Sequence, residues 1–251
     1  MSQLLVIDNV TKRFGGLLAN QNVSFNVNEG EIIGLIGPNG AGKSTLFNCI
    51  SCYSNASSGR IIYQGVDITK KTPDEICKMG IGRTFQIVRI FKEMTVLENI
   101  MVGAFLRHKV RKNAEARARE VAEIFKFTDK LDLMAGFLTI SDQKRLEVAR
   151  TFATDPKVLL LDEMMAGLNI QEVHETTDLI VKLRDMGHTL VLVEHIMEGI
   201  MPIANRMVVL NYGEMIAEGT PDDVVNNEKV IEAYFGKKYH AKRRKDSAPI
   251  R

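Results

Sequence analysis

The chain has 251 residues, 45% hydrophobic and 25% charged, with a formal net charge of +2. That size and make-up fit one large α/β domain or two small ones, and so balanced a charge argues against a nucleic-acid surface. Three cysteines, Cys49, Cys52 and Cys77, are too few for a disulfide framework and fit a reducing compartment.

The opening segment MSQLLVIDNVTKRF lacks the basic stretch and apolar run of a signal peptide. No uninterrupted apolar run approaches the roughly 18–20 residues of a membrane span. A cytosolic chain is expected. LLVIDNV and VSFNV read as short strands, and a NEGE turn leads into the apolar strand EIIGLIG. That strand runs into GPNGAGKST at 37–45, which has the spacing G-x-x-x-x-G-K-[ST] at Gly37, Gly42, Lys43 and Ser44. A helix, STLFNCI, leaves it. Glycines let backbone N–H groups curl around a polyphosphate, and the helix N-terminus faces its charge. Lys43 is placed to reach the β- and γ-phosphates, and the Ser44 hydroxyl to ligate Mg²⁺. Pro38, Asn39, Gly40, Ala41 and Thr45 complete the candidate loop. Cys49 and Cys52 fall on the expected helix at i, i+3; with no second pair they read as buried thiols, not a zinc site. GRIIYQGVDI adds a strand pair around Gln64-Gly65.

From Lys92 to about Lys130 the pattern becomes helical. VLENIMVGAFLRH and AEARAREVAEIFKF carry apolar residues at helical spacing, with Gly103 the one strong breaker, and a helical insertion is expected at about 88–154. In LTISDQKRLEVAR, residues 138–150, the second half opens a helix. Strands return at KVLLLDE, TLVLVEH and RMVVLNYGEMIAEG, with the helix QEVHETTDLIVKLRDMG among them. The first two are near-continuous apolar runs, as parallel strands covered on both faces require. KVLLLDE ends in Asp162 and Glu163. Beside a phosphate loop, Asp162 would hold the Mg²⁺ shell, and Glu163 would orient or deprotonate an attacking water. His195 ends TLVLVEH at the sheet's carboxyl edge, where α/β ligands bind, and reads as a γ-phosphate contact. His108, His174, His188 and His240 receive no role. The basic stretch at 236–251 reads as a flexible, solvated tail.

Together these segments resemble the nucleotide-binding subunit of an ABC (ATP-binding cassette) transporter, over residues 4 to about 235. GPNGAGKST resembles the Walker A loop, and LLLDE at 159–163 is similar to Walker B with its catalytic glutamate. Gln86, in RTFQIVRIF, resembles the Q-loop glutamine, which the resemblance makes a Mg²⁺ contact and a sensor of the membrane partner. AGLN at 166–169 resembles the D-loop, with Asn169 where the family usually has Asp. His195 resembles the switch histidine, and Phe14, in KRFGG, the aromatic that stacks on adenine, a role a ring suits. The resemblance implies an α/β fold of the P-loop NTPase class: a RecA-like parallel core, an antiparallel β subdomain and an inserted α-helical subdomain, in a single nucleotide-binding domain over 1–235. It implies ATP and Mg²⁺ as cofactors, Glu163, His195 and Gln86 as catalytic, and Ser44, Gln86 and Asp162 at the metal. KRFGGLLANQNVSF, GIGRTFQIVRIFKEMTVLENIMVG and AGLN look like the ATPase subunits of branched-chain amino acid uptake systems, with the urea-uptake and lipopolysaccharide-export ATPases as close relatives. Permease subunits would then dock at the Gln86–Asn99 region, with Arg89, Ile90 and Phe91 as groove residues. The chain would be cytoplasmic, peripheral on the inner face of the cell membrane, with no nucleic acid partner.

One loop departs from this pattern. Where the family has LSGGQ or LSYGQ, this chain has Leu138, Thr139, Ile140, Ser141 and Asp142, followed by Gln143. In the family that loop, here Thr139 to Gln143, serves the ATP bound to the opposite subunit. Ser141 adds a Cβ that hinders close approach. An ionised Asp142 at 4–6 Å from a triphosphate would cost on the order of 3–4 kcal/mol per facing charge at an effective dielectric near 20. A homodimer would be impaired at both sites, so a heterodimer with a second ATPase subunit is favoured over a homodimer. The alternative is a hydrolysis-deficient or asymmetric ATP-binding subunit. Met164 stands where the family usually has Pro, with no consequence assigned.

Overall fold

A computed structural model describes residues 3–235; the expected tail at 236–251, with His240, lies outside the described residues. The chain begins with β1 (Gln3–Phe14), β2 (Leu17–Asn28), β3 (Ile32–Ile36), α1 (Lys43–Ile50), β4 (Ser58–Tyr63) and β5 (Val66–Asp67). It continues through α2 (Pro73–Met79), β6 (Ile81–Arg83), α3 (Val96–Ala104), α4 (Arg111–Ile124), α5 (Ile140–Phe152), β7 (Val158–Asp162), α6 (Ile170–Asp185), β8 (Thr189–Val193) and α7 (Met197–Ile200). It closes with β9 (Arg206–Asn211), β10 (Glu214–Gly219), α8 (Pro221–Val225) and α9 (Glu228–Phe235). Two compact units result, Met1–Lys70 with Met201–Arg251, and Lys71–Ile200.

In the first unit, β2, β1, β4 and β5 form an antiparallel sheet in that order. β1 and β2 run further than the apolar patterns LLVIDNV and VSFNV predict, because register shifts let polar stretches stay paired. Asn9 and Asn22 take φ of 50° and 46° within these strands. β3 pairs parallel with β9, and β9 antiparallel with β10. All five residues of β3 are buried. Its approach is fixed by Asn205, whose side-chain oxygen accepts from the Ile32 N–H at 2.8 Å, and by Glu31, which pairs with Arg206 at 2.9 Å. Cys49 and Cys52 are both buried, as expected. Cys52 is not on the helix, however: α1 ends at Ile50, and Cys52 lies in the turn beyond it at φ 53°, its thiol on the Ile68 carbonyl.

In the second unit, β6 pairs parallel with β7, and β7 parallel with β8, in a register running from Val158 opposite Thr189 to Asp162 opposite Val193. Both β7 and β8 are buried throughout, which accounts for their continuous apolar sequences. Side-chain caps set the helix starts: Thr72 opens α2, Thr95 α3 and Asn169 α6, each with the reciprocal capping-box glutamate three residues on. Thr139 caps α5, so that helix begins at Ile140, a turn earlier than QKRLEVAR implied. Phe125, Phe127 and Phe152 are fully buried.

Gly103 acts as a packing contact rather than a breaker. It lies inside α3, and a Cβ there would fall 2.0 Å from the Arg150 carbonyl oxygen and 3.1 Å from the Ala153 Cβ. Only glycine lets α3 rest directly on the backbone of α5. Gly103→Ala should therefore lower stability by about 1–3 kcal/mol through overpacking, read as a lower urea midpoint at unchanged slope. A midpoint equal to or above that of the parent chain would show that the contact is loose.

Candidate functional site

The phosphate-loop sequence forms the connection between β3 and α1, all within the first unit. Gly37, Gly40 and Gly42 have φ of 151°, 79° and 96°. Space enforces glycine at two of them: a Cβ on Gly37 would lie 2.1 Å from the Leu210 carbonyl oxygen, and one on Gly42 would lie 2.4 Å from that of Ala19. No side chain caps α1, so the N–H groups of its first turn are left to whatever the loop encloses. Lys43 is buried, and its ammonium donates to the carbonyls of Gly37 (2.7 Å) and Pro38 (3.0 Å). Ser44, Asn39 and Gly40 are exposed, Pro38, Gly42 and Thr45 half-buried, and Ala41 buried. Such a loop fits a polyphosphate, with a hard hydroxyl oxygen at Ser44 for a Mg²⁺ ion.

Three supports for this loop were not visible in sequence. Asn20, fully buried on β2, donates to the Gly42 carbonyl at 3.2 Å. The Gly213 N–H, in the β9–β10 turn, donates to the Ala41 carbonyl at 3.0 Å. Tyr234, on α9, hydrogen-bonds the Gly37 backbone; burial pushes its phenol up, and that bond offsets part of the rise. Phe14 ends β1 half-exposed, with the Lys12 ammonium 4.8 Å from its ring centroid.

The second unit carries the acids. Asp162 closes β7 and is buried; its N–H donates to the Thr84 hydroxyl at 3.1 Å, and Arg83 approaches its carboxylate at 3.4 Å. Glu163 follows in the left-handed region at φ 50°, its N–H on the Val193 carbonyl at 2.9 Å. The chain therefore turns sharply where β7 ends and swings the Glu163 carboxylate outward. One oxygen accepts from the Gln86 amide at 2.8 Å; the other lies 4.0 Å from the His195 Nδ1. Glu163, Gln86 and His195, far apart in sequence, thus share one side-chain cluster. A carboxylate flanked by an amide and an imidazole is equipped to hold a water and take its proton.

The residues after Glu163 are pinned from two sides. Lys144, on α5, donates to the carbonyls of Glu163, Met164 and Ala166 at 3.1, 3.3 and 2.6 Å. Glu194, buried at the end of β8, accepts from the Met165 N–H at 2.8 Å. Burial pushes the Glu194 carboxyl up to about 7; the Met165 bond and Lys144 pull it partly back. Neither residue stood out in the sequence, where Glu194 is only the letter before His195 and Lys144 one of two adjacent cations.

The altered loop differs from expectation in the role of Asp142. Its carboxylate is not held out toward a ligand. Asp142 is only 7% exposed, and it forms ion pairs with Lys130, at 2.7 Å, and with Arg145. Two cations close round the charge and turn it inward, so the anticipated repulsion does not arise from an exposed carboxylate. Thr139 is engaged as the helix cap, accepting from the Asp142 N–H at 3.2 Å, and Gln143 donates to the Leu138 carbonyl at 2.9 Å. What the first turn of α5 presents outward is Ile140, 70% exposed, with Ser141 half-buried.

In the Gln86–Asn99 region, Gln86, Arg89 and Phe91 are exposed and Ile90 half-buried. Ile87 is the most exposed apolar side chain there, at 78%, and sequence reasoning passed over it. Asn99 faces the other way: fully buried, it accepts from the Phe91 N–H and donates to the carbonyls of Phe91 and Thr95, each at 2.9 Å. It braces this loop from beneath and is no part of its outer surface. Phe91 itself packs under the Arg150 guanidinium, 5.1 Å from the ring centroid. His188 is structural, its ring on Phe152 and its Nδ1 on the Pro156 carbonyl. Among the described residues no cluster of three His, Cys, Asp or Glu is placed to hold a metal ion. No helix among them is long and apolar enough to cross a membrane.

Comparison with known proteins agrees with this geometry. The ABC transporter family model matches residues 20–166, and a model for branched-chain amino acid ATP-binding cassette transporters matches residues 214–240. The chain is 41% identical to the high-affinity branched-chain amino acid transport ATP-binding protein LivG of Salmonella typhimurium, over 94% of this chain and 99% of the relative. It is 34% identical to a probable LivG of Methanocaldococcus jannaschii, over 93% of this chain and 98% of the relative. Among solved structures, a nucleotide-free ATP-binding cassette from an ABC transporter superposes with a TM-score of 0.86 at 32% identity, covering 94% of this chain and all of that one.

Glu194 carries a pH signature. Its folded-state value, about 7, lies above the ordinary 4.5. Between those values the folded chain holds a proton that the unfolded chain has released. The resulting contribution to stability is complete below about 4.5 and disappears as pH rises through about 7. Glu194→Gln keeps an acceptor for the Met165 N–H without the buried charge. It should stabilise the chain at pH 8, by up to about 3 kcal/mol, and have no such benefit at pH 4.5. Urea unfolding at the two pH values checks this; an equal effect at both would refute it.

Proposed function

The chain belongs to the ABC transporter family, and we propose that it is the ATP-hydrolysing subunit of a branched-chain amino acid uptake system. The observation that carries this reading is the Glu163 carboxylate at the end of β7, held between the Gln86 amide and the His195 ring. A binding-only subunit has no use for such a cluster at a strained turn.

In this reading Gly37 to Thr45 cradle the phosphates of ATP, Lys43 leaves its own loop carbonyls for the β- and γ-phosphates, and Phe14 stacks on the adenine. Mg²⁺ neutralises phosphate charge during transfer. Ser44, Gln86 and Asp162 are the oxygen donors that would hold it, with phosphate oxygens completing a hard-ligand shell. Glu163 orients the attacking water and accepts its proton. His195 contacts the γ-phosphate, and Gln86 fixes the Glu163 carboxylate until nucleotide arrives.

Thr139 to Gln143 would serve the nucleotide of a second ATPase subunit. With Asp142 neutralised by Lys130 and Arg145, the obstruction there is steric, from Ile140 and the Ser141 Cβ. A partner ATPase with an unaltered signature would supply this chain's own site with what a second copy could not, so the heterodimer remains our reading. Permease subunits would dock on the exposed face formed by Ile87, Arg89 and Phe91, an arginine and apolar anchors of the kind that carry interfaces. In this reading the chain sits at the cytoplasmic face of the membrane. The named relatives are described as branched-chain amino acid transport ATP-binding proteins, one of them as probable, and the same cargo class is assigned here.

ATP turnover by the purified chain, alone and with its second ATPase subunit and permease, tests this. Turnover should be low for the chain alone and rise on assembly. Glu163→Gln should lower kcat of the assembly by about 10²-fold or more while ATP binding persists. Turnover indifferent to Glu163→Gln would remove the reading. Full turnover by the chain alone would remove the heterodimer.

A further inference from the structure

Lys144 lies on α5, one helical turn from Ile140. An ammonium has three N–H donors, and three backbone carbonyls meet it: those of Glu163, Met164 and Ala166, at 3.1, 3.3 and 2.6 Å. Those carbonyls belong to the turn that aims the Glu163 carboxylate. The site is enclosed enough that desolvation lowers the Lys144 pKa, against the pull of Glu194, Glu163 and Glu147. Its neighbour Arg145 is engaged elsewhere, on Asp142 and over the Phe127 ring. Lys144 is thus a cation committed to one short stretch of backbone.

The other end of α5 is equally constrained. Thr139 caps it, and Asp142 is clamped between Lys130 and Arg145. A helix rises about 1.5 Å per residue, so about 6 Å of stiff backbone separates the first turn of α5 from Lys144. Residues 163–166 are also anchored by the Glu163 N–H on the Val193 carbonyl and the Met165 N–H on Glu194, and Lys144 is what ties them to α5.

We propose that Lys144 is a positioning residue that couples the first turn of α5 to the catalytic carboxylate of Glu163. Resting on the function proposed above, this means that a nucleotide gripped at the first turn of α5 sets the aim of Glu163 in the same chain. The chain's altered signature and its intact catalytic glutamate are then joined by one side chain. Lys144 does not itself touch the reacting atoms.

The test uses the assembled transporter in vesicles, with ATP as the probe, comparing Lys144→Met, Lys144→Arg and Glu163→Gln. Lys144→Met should lower kcat about tenfold or more, as misplacement of a catalytic group by an ångström does. Its KM for ATP and its equilibrium ATP binding should stay within about twofold, because the phosphate loop is untouched. Lys144→Arg, which keeps the charge and several donors, should recover at least about a third of kcat. Two results overturn the proposal: kcat unchanged in Lys144→Met, or kcat and ATP binding lost together with no recovery in Lys144→Arg, which marks a merely structural side chain. If Glu163→Gln leaves turnover unaffected, the functional reading itself fails. If Glu163→Gln is inactive while Lys144→Met is normal, only the coupling fails.

Discussion

The cluster of Glu163, Gln86 and His195 depends on a single backbone event, the reversal of direction at the end of β7. A strand covered on both faces delivers Asp162 to its end while still buried, and the next residue must leave the strand at once for its carboxylate to reach solvent. Glu163 does so in a left-handed conformation, which costs a non-glycine residue roughly 1–2 kcal/mol. Glycine would take the turn at no cost but would bring no carboxylate. The strain persists because the surroundings over-determine it: the Glu163 N–H on Val193, three carbonyls of the turn on Lys144, and the Met165 N–H on Glu194. The position of Gln86 against Glu163 and the nearness of His195 follow from that turn.

The parts of this arrangement legible in sequence were those fixed by pattern. Continuous apolar runs marked β7 and β8, because burial on both faces leaves no room for alternation. The glycine spacing marked the phosphate loop, because backbone at φ of 79° and 96° excludes most side chains. Caps act outside that pattern: Thr139 starts α5 at Ile140, a turn before Gln143. Periodicity says which face of a segment is covered and never by what. The partners of Asp142 show this. Lys130 lies twelve positions upstream on another element, and nothing in LTISDQKR announces that it will arrive. Asn20 beneath Gly42 and Asn99 beneath the Phe91 loop were hidden for the same reason.

Asp142 belongs to a wider use of buried acids in the second unit. Asp142, Glu147 and Glu194 are each under 10% exposed, and each ties a loop or a helix start to a neighbouring element. Asp142 ties the start of α5 to Lys130, beyond α4. Glu147, pushed up by burial, accepts from the Arg89 N–H in the loop after Gln86. Glu194 holds Met165. A buried N–H outside a ladder or helix needs an acceptor, and a carboxylate from a neighbouring rigid element supplies one with more strength than a neutral group. The loops that would meet nucleotide and permease are thereby hung on helices and strands instead of being left to find their own conformation.

This arrangement bears on how the chain tolerates its unusual signature. Replacing a glycine-rich turn by Thr139, Ile140, Ser141 and Asp142 would be expected to disturb the helix that follows. Here the same substitutions rebuild that helix start. The threonine caps it, the aspartate is neutralised by two cations, and an acid in the first turn also suits the helix dipole. The first turn of α5 presents a branched apolar side chain, Ile140, outward. The Glu163, Gln86 and His195 cluster and the glycine-rich loop at 37–45 lie outside the altered segment. In the reading proposed above, the alteration falls on what this chain offers to a neighbouring cassette. In that reading two identical chains would each inherit the obstruction and neither would relieve it, whereas two different chains would divide the roles, an arrangement in which a strained Glu163 serves a purpose.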